Sequence, residues 1–355
     1  MDFGLSDEQV ALQDSVNHYL DDCLGLEQVR TFADGGNYRE IWSGLAELGV
    51  SSLLLPEEQG GMGLTVLDAA LVAECLGTHV APSPFIGSAV IAPLALQHAD
   101  RGPAASHLAQ LVDGSITTGV AFSELAGARG GAGVETAANR LSGKSMFVLD
   151  PNAELQLVAT VDKALYLVES DASGLQQLVH QTVDRTRVIG ELRFDNTPAQ
   201  LITDNPDIVD GLMDTARVML VADTLGAAQH MLDAAVAYAK ERKQFNRVIG
   251  SFQAVKHLCA EMIAELEPCR AMMWYAAYAL DELPEEASVT ACHAKAHIAE
   301  VGTFVARTAT EVHGGIGFTD LLGLHYWFKR IGFNRQALGG PEVLRERAAA
   351  LQGLS

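Results

Sequence analysis

Arg242, Lys243, Arg247 and Lys256 stand close together in ERKQFNRVIGSFQAVKHLCAEM, residues 241–262. On a helix these cations would fall within about four turns. The whole chain has a formal net charge of −21, so positive charge gathers here against the general sign. Two chemistries fit. In one, Lys and Arg simply end a helix, where cations favour the carbonyl end, and Gly250 with Ser251 breaks the chain before the next helix. In the other, the cations collect at a helix-to-helix corner to bind an anion, phosphate above all, around Phe245 and the turn Val248–Ser251. The stretch alone leaves both open.

The composition narrows the partners. A chain of 355 residues can bury a large core and has room for two or three domains. Hydrophobic residues at 48% against 19% charged exclude a disordered chain. The acidic balance argues against nucleic acid and anionic membranes, and an anionic ligand would need a local basic patch. The five cysteines, Cys23, Cys75, Cys259, Cys269 and Cys292, form no C-x-x-C and no His pairing at zinc spacing. They predict reduced core residues of a cytoplasmic protein and no metal site. MDFGLSDEQVALQ has neither a basic nor an apolar leader, so no signal peptide is expected. The longest apolar stretch, Val218 to Ala239, is interrupted by Asp223, Gln229, His230 and Asp233. It reads as a buried helix, not a membrane span.

The elements that must position these residues change texture twice. Residues 1–115 read as helical. Ser6 is an N-cap candidate with Gln9 placed for a capping box, and Thr65 can cap VLDAALVAECLG after the loop PEEQGGMGLT. Near Gly114 the pattern shifts to short, β-branched runs: SITTGVAFSEL, RLSGKSMFVLD, LQLVATV, ALYLVES, QTVDRTRVIGELRFDN and AQLITD. These predict an antiparallel sheet or barrel over 116–205. From Pro206 helices return, over about 206–245, 252–283 and 285–312, with one or two more behind them. The order α, β, α gives three segregated modules rather than βαβ units.

This layout resembles the acyl-CoA dehydrogenase family. The motifs that carry the likeness are ELGVSSLLLPEEQGGMGLTVLDAALVAECLG (47–77), GK…FVLDP in the β-region, Arg242-x-x-Phe245-Asn246 with Phe252-Gln253, and VHGGIGF (312–318). The resemblance spans nearly the whole chain in order. It implies a mainly α fold with a central β-domain: an N-terminal α-helical domain (1–115), a β-barrel or sandwich domain (116–205) and a C-terminal four-helix bundle (206–355). It implies FAD at an interface between subunits, an acyl-CoA substrate, and an electron-accepting flavoprotein as partner. Arg242 would contact the pyrophosphate of a neighbour's FAD, with Phe245 and Gln253 lining its path. Gly314 and Gly315 would let the backbone approach the ADP half, although a Gly-Gly run also caps helices. Ser123 and Phe147 would face the flavin; Phe147 is equally read as plain core.

In the family a Glu removes the α-proton, from one of two positions. The resemblance places one on Gly339, in ALGGPEV, and the other on Ala216, just before Arg217. Neither residue can take a proton. Asp223 is the remaining weak candidate, with Glu342 and Asp214 behind it, though Asp223 on an apolar helix is better read as an ion-pair partner. Two further departures stand out. Ser123-Glu124-Leu125 lacks the family's proline and is followed by AGARGGAG, and Glu311 replaces a usual Gln. His313, Tyr326, Trp327 and Phe328 read as packing residues. The reading that follows is a subunit of a heteromeric enzyme whose partner, a similar chain, carries the base. The alternatives are a homo-oligomeric dehydrogenase using Asp223 and a non-catalytic flavin-binding structural subunit.

Overall fold

The computed structural model describes residues 4–98, 107–127 and 130–354. Met1–Phe3 of the leader argument and Ala128–Arg129 of the glycine-rich run lie outside the described residues. The N-terminal part holds α1 (Asp7–Cys23), α2 (Leu26–Ala33), α3 (Arg39–Glu47), α4 (Val66–Thr78), α5 (Ala92–Leu96) and α6 (Leu108–Val112). Both expected caps form. Ser6 Oγ accepts the Gln9 N–H while the Gln9 side chain accepts the Ser6 N–H, and Thr65 with Asp68 repeats the arrangement.

The sheet runs through β1 (Thr118–Ala121), β2 (Gly133–Ala137), β3 (Arg140–Leu149), β4 (Leu155–Ala159), β5 (Leu165–Glu169), β6 (Leu175–His180), β7 (Ile189–Pro198) and β8 (Gln200–Thr203). The spatial order is β6-β7-β3-β1-β4-β5-β8, with β2 on the free stretch of β3. Two features correct the sequence reading. The sheet is mixed, because β1 pairs β4 in parallel over Thr118–Ala121 and Leu155–Val158. β2 and β6 were not among the predicted strands; β6 has a mostly half-exposed face, so its apolar signal is weak. Among the described residues no pairing of β6 with β8 closes a barrel.

The C-terminal part holds α7 (Pro206–Glu241), α8 (Gln253–Glu282), α9 (Pro284–His313), α10 (Leu324–Gln336) and α11 (Pro341–Leu351). One continuous apolar core joins the N-terminal helices to this bundle. Helices α4 and α7 cross at backbone contact through a reciprocal pair of glycines. A Cβ on Gly77 would lie 2.0 Å from the Asp223 carbonyl oxygen, and one on Gly226 would lie 1.9 Å from that of Glu74. Any side chain at either position would push the helices apart. No helix among the described residues is long and apolar enough to cross a membrane.

Candidate active site

A cleft of about 660 Å³ lies between the β-region and α10 and is lined in part by the turn Leu338–Gly340. Its β-side wall carries Ser123 and Phe147. Phe147 is 45% exposed and sits at φ +53°, where β3 slips register against β7 between Met146 and Val148. A left-handed conformation is unfavourable for an aromatic residue, and the bulge swings it out of the pleat into the cleft. Ser123 Oγ donates to the Phe147 carbonyl at 3.2 Å and so steadies that wall. Opposite them, Phe328, Lys329, Gly332 and Phe333 face in from α10. Phe328 was expected in packing; it lines the cleft and is 37% exposed.

Two carboxylates, Glu124 and Asp184, line this cleft; both oxygens of Glu124 are bonded, whereas Asp184 Oδ2 is buried without a partner. Glu124 accepts from Ser145 Oγ at 2.5 Å and from the Met146 N–H at 2.7 Å. Asp184 Oδ1 accepts from the Thr186 N–H at 2.8 Å and Thr186 Oγ1 at 2.6 Å. Of the two positions that the sequence flagged for a base, Gly339 lines the cleft and Ala216 is fully buried behind it. Arg217, next to Ala216 on α7, donates from Nε to the Leu338 carbonyl at 2.9 Å, next to Gly339. Gly339 itself has φ +110°, a conformation that favours glycine. Asp214 is buried and bonds Arg217 at 2.6 Å and Ser288 Oγ at 2.6 Å; exposed Glu342 accepts from Arg335 at 3.4 Å.

Asp223 does not line the cleft. It lies in a buried network in which Arg330 donates from Nε at 3.0 Å and from Nη2 at 2.8 Å. Asn334 Nδ2 adds a bond of 2.6 Å, and Arg187 Nη2 lies 3.0 Å away. Burial alone would raise its pKa, but Arg187 and Arg330 outweigh it and hold the carboxylate down to about 2. Arg330 also donates to the carbonyls of Thr186 at 3.0 Å and Ala81 at 3.1 Å. The network therefore ties α7, α10, the β6–β7 connection and the N-terminal segment together. Neither Arg187, Arg330 nor Asn334 was singled out from the sequence. The available signal was a pair of cations directly after three aromatics, Tyr326-Trp327-Phe328-Lys329-Arg330.

Arg242, Phe245, Gln253, Gly314 and Gly315 form a second, exposed group, none of which lines the cleft. The sequence suggested a plain helix-to-helix corner. The structure inserts a two-stranded hairpin, β9 (Lys243–Gln244) and β10 (Arg247–Val248). Its turn residues Phe245 and Asn246 both have positive φ, +52° and +62°, as a tight hairpin of this kind requires. Phe245 is 87% exposed and touches Phe252 edge-on at 6.2 Å, and the Arg247 guanidinium lies over the Phe252 ring at 3.8 Å. Tyr238, one turn before Arg242, stacks on His313 at 4.7 Å, which brings the Gly314–Gly315 turn to the same end of the bundle. A Cβ at either glycine would meet nothing within 4 Å, so the space over them is open. His313 bonds the Ala309 carbonyl and Trp327 stacks on His230 at 3.9 Å; both are packing residues. Among the described residues no group of His, Cys, Asp and Glu could hold a metal ion.

Comparison with known proteins agrees on one family. The family model "Acyl-CoA dehydrogenase, N-terminal domain" matches residues 6–115, and "Acyl-CoA dehydrogenase, C-terminal domain" matches 207–351. The chain is 31% identical to acyl-CoA dehydrogenase IpdE2 of Mycobacterium tuberculosis, over 88% of this chain and 87% of that one. It is 29% identical to IpdE2 of Mycolicibacterium smegmatis over 98% and 99%. Among solved structures it is similar to a Tcur3481-Tcur3483 steroid ACAD variant, with TM-score 0.89, 30% identity and 98% of each chain covered. It is also similar to the ChsE4-ChsE5 complex from Mycobacterium tuberculosis, with TM-score 0.89, 26% identity and 100% of each chain covered.

Proposed function

The chain belongs to the acyl-CoA dehydrogenase family, and on that premise we propose that it is one subunit of an FAD-dependent enzyme whose catalytic base comes from a similar partner chain. The observation that carries this reading is the cleft wall itself. Both places where the family would keep its base carry no carboxylate, Gly339 and Ala216; of the acids that line the cleft, Glu124 is spent on backbone and hydroxyl donors, and Asp184, 1% exposed, accepts from Thr186 through one oxygen and keeps the other buried. A general base needs a free oxygen within reach of the proton it takes. Asp223 is shielded by two buried arginines and stands outside the cleft, so the homo-oligomeric alternative finds no support in this geometry.

The residues present fit FAD. The cleft is mostly apolar, with the Phe147 face turned into it, as a flat ring system requires. The bundle end offers a permanent cation, Arg242, beside open glycine backbone, as a pyrophosphate and nucleoside require. FAD held there would supply the acceptor for the hydride that leaves the β-carbon of the acyl thioester. This chain's own part is to bind and to exclude water. Phe147, Phe328 and Phe333 would cover the ring in the cleft, and Arg242, Phe245 and Gln253 would hold the cofactor of a neighbouring subunit. The likeness to a steroid ACAD and to a two-chain complex supports a bulky acyl-CoA and an unlike partner chain. The test is turnover with an artificial electron acceptor, first with the purified chain and then with a similar chain that carries Glu at either base position. The reading predicts turnover only in the mixture; equal rates in both would defeat it.

A further inference from the structure

Two buried cations hold the turn Leu338–Gly340 and the end of α10 that leads into it. Arg217 holds the Leu338 carbonyl from α7. Lys295, on α9 and 2% exposed, places Nζ 2.5 Å from the Asn334 carbonyl and 3.5 Å from that of Arg335, at the end of α10. The two cations differ in one respect. Arg217 has its counter-ion in Asp214, whereas no carboxylate pairs with Lys295 among the described residues. Burial lowers its pKa, and the like charges of Arg217 and Arg335 add to the effect, bringing it down to about 7.

A buried ammonium without a counter-ion is unfavourable, and an apolar side chain of similar size would ordinarily be more stable there. What the ammonium does gain is the carbonyl end of α10, where the helix dipole is negative and the last carbonyls lack helical partners. The segment beyond that end needs restraint. Leu338 is a non-glycine residue at φ +56°, and Leu338, Gly339 and Gly340 all line the cleft. We propose that Lys295 is a positioning residue: together with Arg217 it fixes Ala337–Gly340 in the shape that forms the cleft wall, at the expense of stability. Only the cofactor-binding part of the test below rests on the FAD reading.

The experiment compares Lys295→Met and Lys295→Gln with the unaltered protein in its native assembly. Three readouts are hydrogen exchange at the Ala337 and Gly339 amides, which bond Phe333 and Gln336 carbonyls at 3.0 and 3.3 Å, the thermal midpoint, and titration with FAD. Loss of charge-assisted bonds predicts exchange at these two amides faster by about tenfold or more and FAD affinity lower by about tenfold in Lys295→Met. The thermal midpoint should hold or rise. Lys295→Gln, which keeps an amide donor, should fall between. Unchanged exchange, or faster exchange with unchanged FAD affinity, overturns the proposal. A lowered midpoint with uniformly faster exchange along α9 and α10 also overturns it, since that marks an ordinary structural residue. If Lys295→Met does not fold, Lys295→Gln decides by the same two amides; failure of both to fold counts against the proposal. Should the unaltered protein bind no FAD, the cofactor reading falls, and the exchange result still decides the role of Lys295.

Discussion

Asp223 and Arg242 carry opposite assignments at the scale of single residues. Asp223 is a titratable group removed from chemistry by its partners. Asp223→Asn would leave Arg187 and Arg330 buried with their charges uncompensated, and should cost about 3–5 kcal/mol in denaturant unfolding. Its pH signature has a definite sign. The folded pKa of about 2 lies below the unfolded value of about 3.9, so its contribution is present above pH ~4 and lost as pH falls toward 2. Acid titration of stability should be shallower in the variant over that window; an unchanged acid limb would contradict the pairing. Arg242 is exposed and ends α7, so little of the fold depends on it. Arg242→Ala should leave the unfolding midpoint within about 0.5 kcal/mol. FAD affinity should fall about 10- to 150-fold, the worth of one charge-assisted contact. Full flavin absorbance after extensive dialysis of the variant would sink the assignment.

At the scale of elements, what was legible depended on how local the signal is. The Ser6 and Thr65 caps were readable because four consecutive residues contain the whole interaction. The bundle helices were readable because apolar, helix-forming runs persist over 30 residues or more in α7, α8 and α9. The hairpin at 243–248 was not, because two-residue strands carry no period. The parallel β1–β4 pairing was hidden for another reason: both are short, fully buried runs, and such runs do not reveal strand direction. The cleft was half legible. Ser123, Phe147 and Gly339 were found through motifs, whereas Glu124, Gly332 and Phe328 depend on which helix face meets the sheet. The hairpin supplies an element-scale prediction. Phe245 holds a left-handed turn position that costs an aromatic residue about 1–2 kcal/mol, while 87% of its surface faces outward. Phe245→Gly should therefore stabilise the chain by about 1 kcal/mol in thermal unfolding and at the same time weaken FAD binding. Loss of stability, or unchanged binding, would show that the residue serves the fold instead.

At the scale of the whole molecule, the two groups of site residues lie on different parts of one chain, the cleft and the bundle end, and the proposed cofactor joins them across a subunit boundary. Exposed apolar residues support that arrangement: Phe318 is 80% exposed and Leu321 72%, in the turn that follows Gly314–Gly315, and Phe245 stands at the same end of the bundle. The chain should therefore sediment as an oligomer at micromolar concentration; a single 37.8 kDa species would contradict this. The central claim is that this subunit, alone, has no base for the α-proton. The most direct measurement mixes the purified, FAD-loaded chain with an acyl-CoA under anaerobic conditions and follows bleaching of its flavin. Positioned bases contribute about 10²–10⁴-fold, so bleaching should be slower than in a complete enzyme by that order, and should recover when a Glu-bearing partner chain is added. Rapid bleaching by the unmodified chain on its own, abolished by Asp223→Asn in protein that remains folded, would contradict the account.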